Sequence, residues 1–277
     1  MNRKLVSIII TTKNEAGVIE NLFVSIQKQS FRHIETVLVD NYSTDRTREI
    51  ARKYTKRIYT KGPERSSQRN FGALKARGGY IFFLDADMTL EENVVSECVK
   101  RVDEKNIAGV IVPEISFGTG FWANVKAFER SFYIGDEKIE AARFFIKTIF
   151  SSVGGFDEEI TGPEDWELSD RIRKRFGISR IRSHILHNEG SLRFGELMRK
   201  KYYYGKKTPV YLRKVKKTDV FSAKTIFFLR TSFYKKPIRI LSHPVLFCAM
   251  ILMLTSELIA GIFGVIAGSF NDKFLEK

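Results

Sequence analysis

The chain has 277 residues, 43% of them hydrophobic and 29% charged, and a formal net charge of +15. That length suits one large domain with an appendage, and the hydrophobic share supports a packed core. Its two cysteines, Cys98 and Cys248, lie on unrelated segments, which excludes a disulfide framework and a zinc spacing and fits a reducing compartment.

Residues 1–10 are basic and then apolar. The apolar run stops at Thr11-Thr12-Lys13 with no small-residue cleavage site, so residues 5–11 read as a first buried strand rather than a signal peptide. Residues 16–29 have helical spacing through Val18, Leu22 and Ile26. A strand is expected at 34–40, a helix at about 44–54, a short strand at 57–60, and a helix at 66–76 stopped by Gly78-Gly79. A strand at 80–85, a helix at 90–102 and a strand at 107–113 follow. This alternation argues for an α/β fold with a mostly parallel central sheet and helices on both faces. Beyond Gly118 the pattern loosens to a helix at 121–132, a strand at 143–150, a helix at 164–176 and a strand at 179–187.

The charge is concentrated. Between Arg193 and Arg239 stand fifteen Lys or Arg against two acids, Glu196 and Asp219, so this segment carries +13 of the total. A basic segment fits nucleic acid or an anionic membrane surface. The next stretch favours the membrane. Residues 245–267 are apolar apart from Thr255, Ser256, Glu257 and two glycines. As a helix they would reach about 35 Å against a hydrocarbon core of about 30 Å, which reads as one transmembrane helix. Glu257 is the objection, since an acid near the centre costs roughly 2.5–3.5 kcal/mol. The competing reading is a hairpin-like or interfacial helix that enters one leaflet only. Positive charge before the span places the large domain in the cytoplasm, at the cell membrane. The expected division is 1–192, 193–240 and 241–277. The aromatic-basic stretch from Lys200 to Lys207 fits a surface that meets headgroups, a reading the nearby apolar span favours over a solvated basic helix.

The chemistry lies in acids at strand ends. Asp85-Ala86-Asp87 closes the apolar run Tyr80-Ile81-Phe82-Phe83-Leu84. Two carboxylates so close repel unless a cation neutralises them, and a divalent ion would leave coordination sites for phosphate oxygens. Asp40 ends another apolar run, and ligands of open α/β sheets bind outside the carboxyl ends of the strands. Asp40 equally suits capping of its own turn, with Asp45 and Thr47 as further cap residues. Glu164-Asp165-Trp166 opens a helix after Gly162-Pro163, where acids are also favoured by the helix dipole.

Six motifs stand in order: Ser7-Ile8-Ile9-Ile10-Thr11-Thr12-Lys13-Asn14-Glu15, Val39-Asp40-Asn41-Tyr42-Ser43-Thr44-Asp45, Arg69-Asn70-Phe71-Gly72, Asp85-Ala86-Asp87, Gly154-Gly155-Phe156-Asp157 and Glu164-Asp165-Trp166-Glu167-Leu168. From about Ser7 to Arg193 the chain resembles a family 2 glycosyltransferase with the GT-A nucleotide-sugar-binding fold. The resemblance implies an inverting, metal-dependent transfer of one sugar from a UDP- or GDP-sugar to a polyprenyl-phosphate lipid or lipid-linked saccharide. It implies donor contacts by Thr11, Glu15, Asp40, Arg65, Arg69, Asn70 and Asp85, with Asp40 at the base and Asp85 at the ribose. Mg²⁺ or Mn²⁺ would sit on Asp87 and His187. Asp165 would be the catalytic base, with Glu164 and Trp166 shaping the acceptor site. Asn41 stands where many members carry a second aspartate, which leaves base selectivity open. No Gln-x-x-Arg-Trp motif follows Asp165, which argues for transfer of a single sugar. Alternatives are a soluble saccharide or protein acceptor, or a nucleotide-sugar-binding membrane protein without turnover. Nucleic acid is not an expected partner.

Overall fold

The computed structural model describes residues 2–105, 107–137, 139–214 and 230–275, so part of the basic segment, 215–229, lies outside the described residues. The chain packs as two units. One contains Met1–Glu114, Ala141–Glu158 and Glu164–His187; the other contains Ile115–Glu140, Glu159–Pro163 and Asn188–Lys277. Residues 115–140 and 159–163 thus group with the C-terminal helices, a partition that differs in detail from the linear division at 192 and 240.

In chain order the elements are β1 (Asn2–Thr12), α1 (Ile19–Gln27), β2 (Ile34–Asp40), α2 (Thr47–Ala51), β3 (Ile58–Thr60), α3 (Arg65–Lys75), β4 (Gly78–Asp85), β5 (Met88–Leu90), α4 (Val94–Lys105) and β6 (Ile107–Ile111). They continue through β7 (Glu114–Thr119), α5 (Phe121–Ser131), β8 (Ala142–Ile146), α6 (Lys147–Ser152), α7 (Glu164–Arg173), β9 (Gly177–Arg180) and β10 (Ile185–Ser191). The C-terminal helices are α8 (Phe194–Lys214), α9 (Thr231–Tyr234), α10 (Pro237–Ser242) and α11 (Pro244–Leu275).

The first unit is built on a seven-stranded sheet, in the order β3-β2-β1-β4-β8-β6-β9. All neighbours are parallel except β8, which runs antiparallel to both β4 and β6. The sheet is therefore mostly parallel, as the alternation predicts. Strand side chains alternate between two cores. Ile8, Ile10, Leu38, Phe82 and Leu84 face α1 and α4 residues such as Leu22, Phe23, Val95 and Cys98. Ile9, Val37, Val39, Ile81 and Phe83 face Ala73, Phe150, Leu168 and Ile172 of α3, α6 and α7. Gly72 lets α3 approach β1, because a Cβ there would collide with the Ile9 side chain.

Three expected elements differ. The strand expected at 143–150 ends at Ile146, and α6 takes over with Phe150 buried in the core. A continuous apolar run does not separate a buried strand from a buried helix. The helix expected from residue 90 begins at Val94, because Met88–Leu90 pairs with Ile185–His187 as a short antiparallel strand. The strand expected at 179–187 is broken into β9 and the start of β10. Glu97 on α4 pins the break, accepting from the amides of Arg182 (2.9 Å) and Ser183 (3.2 Å) and from the Ser183 hydroxyl (2.7 Å).

In the second unit, Val125 and Phe128 of α5 and Phe132 just beyond it pack with Leu197, Phe233, Met250, Met253 and Leu254. Residues 244–269 of α11 form a helix long and apolar enough to cross a membrane.

Candidate active site

The sheet reverses its order at β1. The chain runs outward to β2 and β3 on one side, then returns to place β4 on the other. Register sets Thr12 beside Asp40 and Thr11 beside Asp85. Such a switch point opens a crevice at the carboxyl ends of the strands, and the acids of the sequence motifs gather there.

Asp85 is the most tightly held. Its Oδ1 accepts from the Thr11 hydroxyl (3.1 Å) and from Arg69 Nη2 (3.2 Å), and Arg143 Nη1 lies 3.8 Å from Oδ2. Burial pushes this carboxyl up, but Arg69, Arg65 and Arg143 outweigh burial and hold it well below the usual carboxylate range. Arg69, 1% exposed, is the hub: its Nη1 also reaches Asp165 Oδ1 at 2.7 Å and Glu164 Oε1 at 3.7 Å. Thr11, Arg69, Asp85, Glu164 and Asp165 are thus brought together. Burial and the neighbouring Asp165 raise the Glu164 carboxyl. Arg65 is exposed at the first turn of α3. Trp166 is half-buried one residue beyond Asp165.

Asp87 differs from Asp85. Its side chain is 33% exposed, His187 Nε2 is 3.3 Å from Oδ2, and its Oδ1 is buried without a hydrogen-bond partner. His187 is positioned by the β5–β10 pairing, and its Nδ1 lies 3.4 Å from Glu114 Oε2. Glu114 in turn accepts from Arg143 Nε at 2.6 Å. Among the described residues no three His, Cys, Asp or Glu side chains cluster as a metal cage. Asp87 and His187 supply two donor side chains, and a divalent cation would satisfy the orphaned Oδ1 of Asp87.

Glu15 sits in the β1–α1 loop, its amide held by the Thr47 hydroxyl at 2.8 Å. Burial, then Asp87 and Asp85, push its carboxyl up to about 7. The same loop is laced to the β2–α2 loop. Asp45 accepts from the Ala16 amide (3.0 Å) and from the Thr47 amide (3.0 Å) just ahead of α2, whose N-cap is Arg46 rather than the expected Asp45 or Thr47.

Two candidate donor residues carry structural duties. Asp40 is fully buried and caps its own turn, with the Ser43 amide at 2.9 Å and the Ser43 hydroxyl at 2.5 Å. The Asn70 amide pairs with both backbone groups of Phe156, at 2.8 and 2.9 Å. That pairing seats the Gly154-Gly155 turn, where both residues have positive φ (88° and 68°) and a Cβ on Gly155 would come within 2.6 Å of Asn70 Oδ1.

Sequence reasoning missed Arg143, Glu114 and Arg171. Arg143 carried a signal, a lone charge inside the apolar run Ala142–Ile146. Arg171 binds Glu167 and donates to the carbonyls of Val153 and Gly155, tying α7 to the glycine turn.

The model of the family described as Glycosyl transferase family 2 matches residues 7–158, more than half of the chain. The chain belongs to glycosyl transferase family 2. It is 31% identical to the uncharacterized glycosyltransferase EpsJ of Bacillus subtilis over 149 residues, covering 52% of this chain and 40% of EpsJ. It is 27% identical to the GalNAc(5)-diNAcBac-PP-undecaprenol beta-1,3-glucosyltransferase of Campylobacter jejuni over 201 residues, 63% of this chain and 64% of that one. The mannosyltransferase PcManGT of Pyrobaculum calidifontis, solved with GDP-Man and Mn²⁺, superposes with a TM-score of 0.55 at 18% identity, covering 95% of this chain and 74% of that one. The fold is GT-A. The chain spans about two fifths of the length of the curated relatives it matches first.

Proposed function

We propose that the protein is an inverting, metal-dependent glycosyltransferase that moves one sugar from a UDP- or GDP-sugar to a polyprenyl-phosphate lipid or lipid-linked saccharide at the cytoplasmic face of the cell membrane. The observation that carries this reading is the pairing of an open carboxylate, Asp87 with its orphaned Oδ1, with a second carboxylate, Asp165, on the same arginine-braced cluster.

Asp87 and His187 would hold Mg²⁺ or Mn²⁺, which supplies charge neutralisation to the departing diphosphate. Arg65 adds positive charge near the phosphates, and Asp85, fixed by Thr11 and Arg69, accepts from the ribose. Glu15 lines the same pocket. Asp165 Oδ takes the proton of the acceptor hydroxyl as that oxygen bonds to the anomeric carbon. The anomeric carbon–phosphate oxygen bond breaks with its electron pair going to the nucleoside diphosphate, and the anomeric configuration inverts. Where the acceptor is a phosphate, Asp165 positions it instead. Glu164 and Trp166 shape the acceptor side. The Campylobacter relative, whose name specifies an undecaprenol-linked acceptor, supports the lipid-linked class. The basic segment and the apolar α11 support the membrane location.

The test is nucleoside diphosphate release by detergent-purified protein with Mn²⁺, a panel of UDP- and GDP-sugars, and polyprenyl phosphate present or absent. Release that requires one donor and the lipid, and is lost in Asp165→Asn, supports the reading. Equal release with and without lipid sends the acceptor assignment to a soluble saccharide or protein. No release from any donor, despite binding, overturns turnover.

A further inference from the structure

Resting on that membrane reading, we propose that α11 does not cross the bilayer but lies along one anionic leaflet, with its inner face locked to α8 and α5. The two sides of this helix have different surroundings. Met250, Met253, Leu254, Glu257, Gly264 and Gly268 recur at three-, four- and seven-residue intervals and are buried within their own unit. Val245, Leu252, Ile259, Ile262, Phe263 and Ile266 recur on the other side and are 47–69% exposed.

The buried side is polar in its support. Glu257, 5% exposed, places Oε1 3.2 Å from Lys126 Nζ of α5 and Oε2 3.0 Å from Lys201 Nζ of α8. Lys126 also pairs with Glu129 at 2.6 Å. Close approach continues along the glycines. A Cβ on Gly264 would collide with the Tyr202 carbonyl, and one on Gly268 with the Lys206 carbonyl. The second half of α11 therefore runs beside the Lys201–Lys206 stretch of α8. A transmembrane path would draw that basic helix into hydrocarbon together with α11, and each such Lys is costly there. An in-plane path leaves the ion pairs intact and presents only the exposed apolar stripe to lipid, as interfacial helices do.

Charge selects the occupant. Among the described residues from Arg193 to Arg239, twelve Lys or Arg stand against Glu196 alone, and exposed Lys235 and Arg239 flank Ile238 and Leu241, themselves 79% and 78% exposed. A second copy would bring the same positive charge against this surface, whereas an anionic leaflet complements it. The helix that resembled a span in the sequence is thus a one-sided membrane anchor.

The experiment is topology mapping of the full chain in a Cys98→Ser, Cys248→Ser background, with single cysteines at Ser242→Cys or Lys273→Cys and a membrane-impermeant maleimide. Both sites are expected to label in sealed inside-out vesicles and neither in spheroplasts. Labelling from opposite sides overturns the in-plane anchor while leaving membrane association intact. A chain that remains in the soluble fraction, as a dimer or alone, overturns both. As a second readout, Ile262→Asp combined with Phe263→Asp should weaken sedimentation with phosphatidylglycerol vesicles about tenfold or more at unchanged melting temperature. Unchanged vesicle binding would also overturn the proposal.

Discussion

Two charge clusters organise this protein, and they are built to opposite ends. At the sheet's switch point, Arg69 braces Asp85, Glu164 and Asp165, yet Asp87 keeps a buried oxygen without a partner and a third of its side chain exposed. In the helical unit, Lys126, Glu129, Glu257 and Lys201 close ion pairs across three helices. Buried charge tolerates neither arrangement without compensation. In the helical cluster even Glu129 Oε2, which has no hydrogen-bond partner, lies 2.6 Å from the Lys126 ammonium. The site cluster leaves one acceptor open, and an open acceptor is where a ligand's cation fits. A buried carboxylate oxygen with no lysine or arginine beside it, rather than the number of charges, separates the candidate site from the architectural cluster.

Substitutions sharpen the contrast. The largest effect is expected from Asp165→Asn, which should lower turnover with a hydroxyl acceptor by ~10²–10⁴-fold while donor binding, followed by calorimetry, stays unchanged. Asp87→Ala should weaken Mn²⁺-dependent donor binding about 100-fold with little change in melting temperature. In the closed cluster the pattern should invert. Glu257→Leu strips one partner from Lys126 and Lys201 and should cost about 1–3 kcal/mol of stability in urea melts, with donor binding retained. Gly264→Ala forces α8 and α11 apart and should cost about 1–3 kcal/mol by the same measurement.

The smallest effect is one of pH. Glu15 keeps its proton in the fold up to about pH 7, against 4.5 in the unfolded chain. The stability contributed by the protonated form is complete below pH 4.5 and is lost as pH rises through 7. Glu15→Gln mimics that form, so its melting temperature should overtake the wild type above pH 7 and match it near pH 5. Parallel curves across that range would show that burial, with Asp87 and Asp85, does not raise the Glu15 carboxyl.

Much of this was legible in the sequence. Alternating elements at short spacing define the parallel sheet, and acids ending apolar runs mark the crevice, because strand ends at a switch point face the same way. The supporting residues were harder to read. Nothing in the spacing connects Glu114 to His187 or Arg171 to the glycine turn, since those contacts arise only when distant elements pack. Asp40 and Asn70 show the converse: motif residues whose side chains hold turns in place. Glu257 stands in the sequence as the objection to a transmembrane helix, and nothing in the spacing connects it to Lys126 and Lys201, its partners from two other helices.

The most direct measurement is calorimetric titration of UDP and GDP into the purified full chain, with and without Mn²⁺, comparing wild type with Asp87→Ala and Glu257→Leu. The open-cluster assignment predicts binding of one nucleotide that requires Mn²⁺, disappears in Asp87→Ala and survives in Glu257→Leu. Binding indifferent to Mn²⁺ and to Asp87 would contradict it.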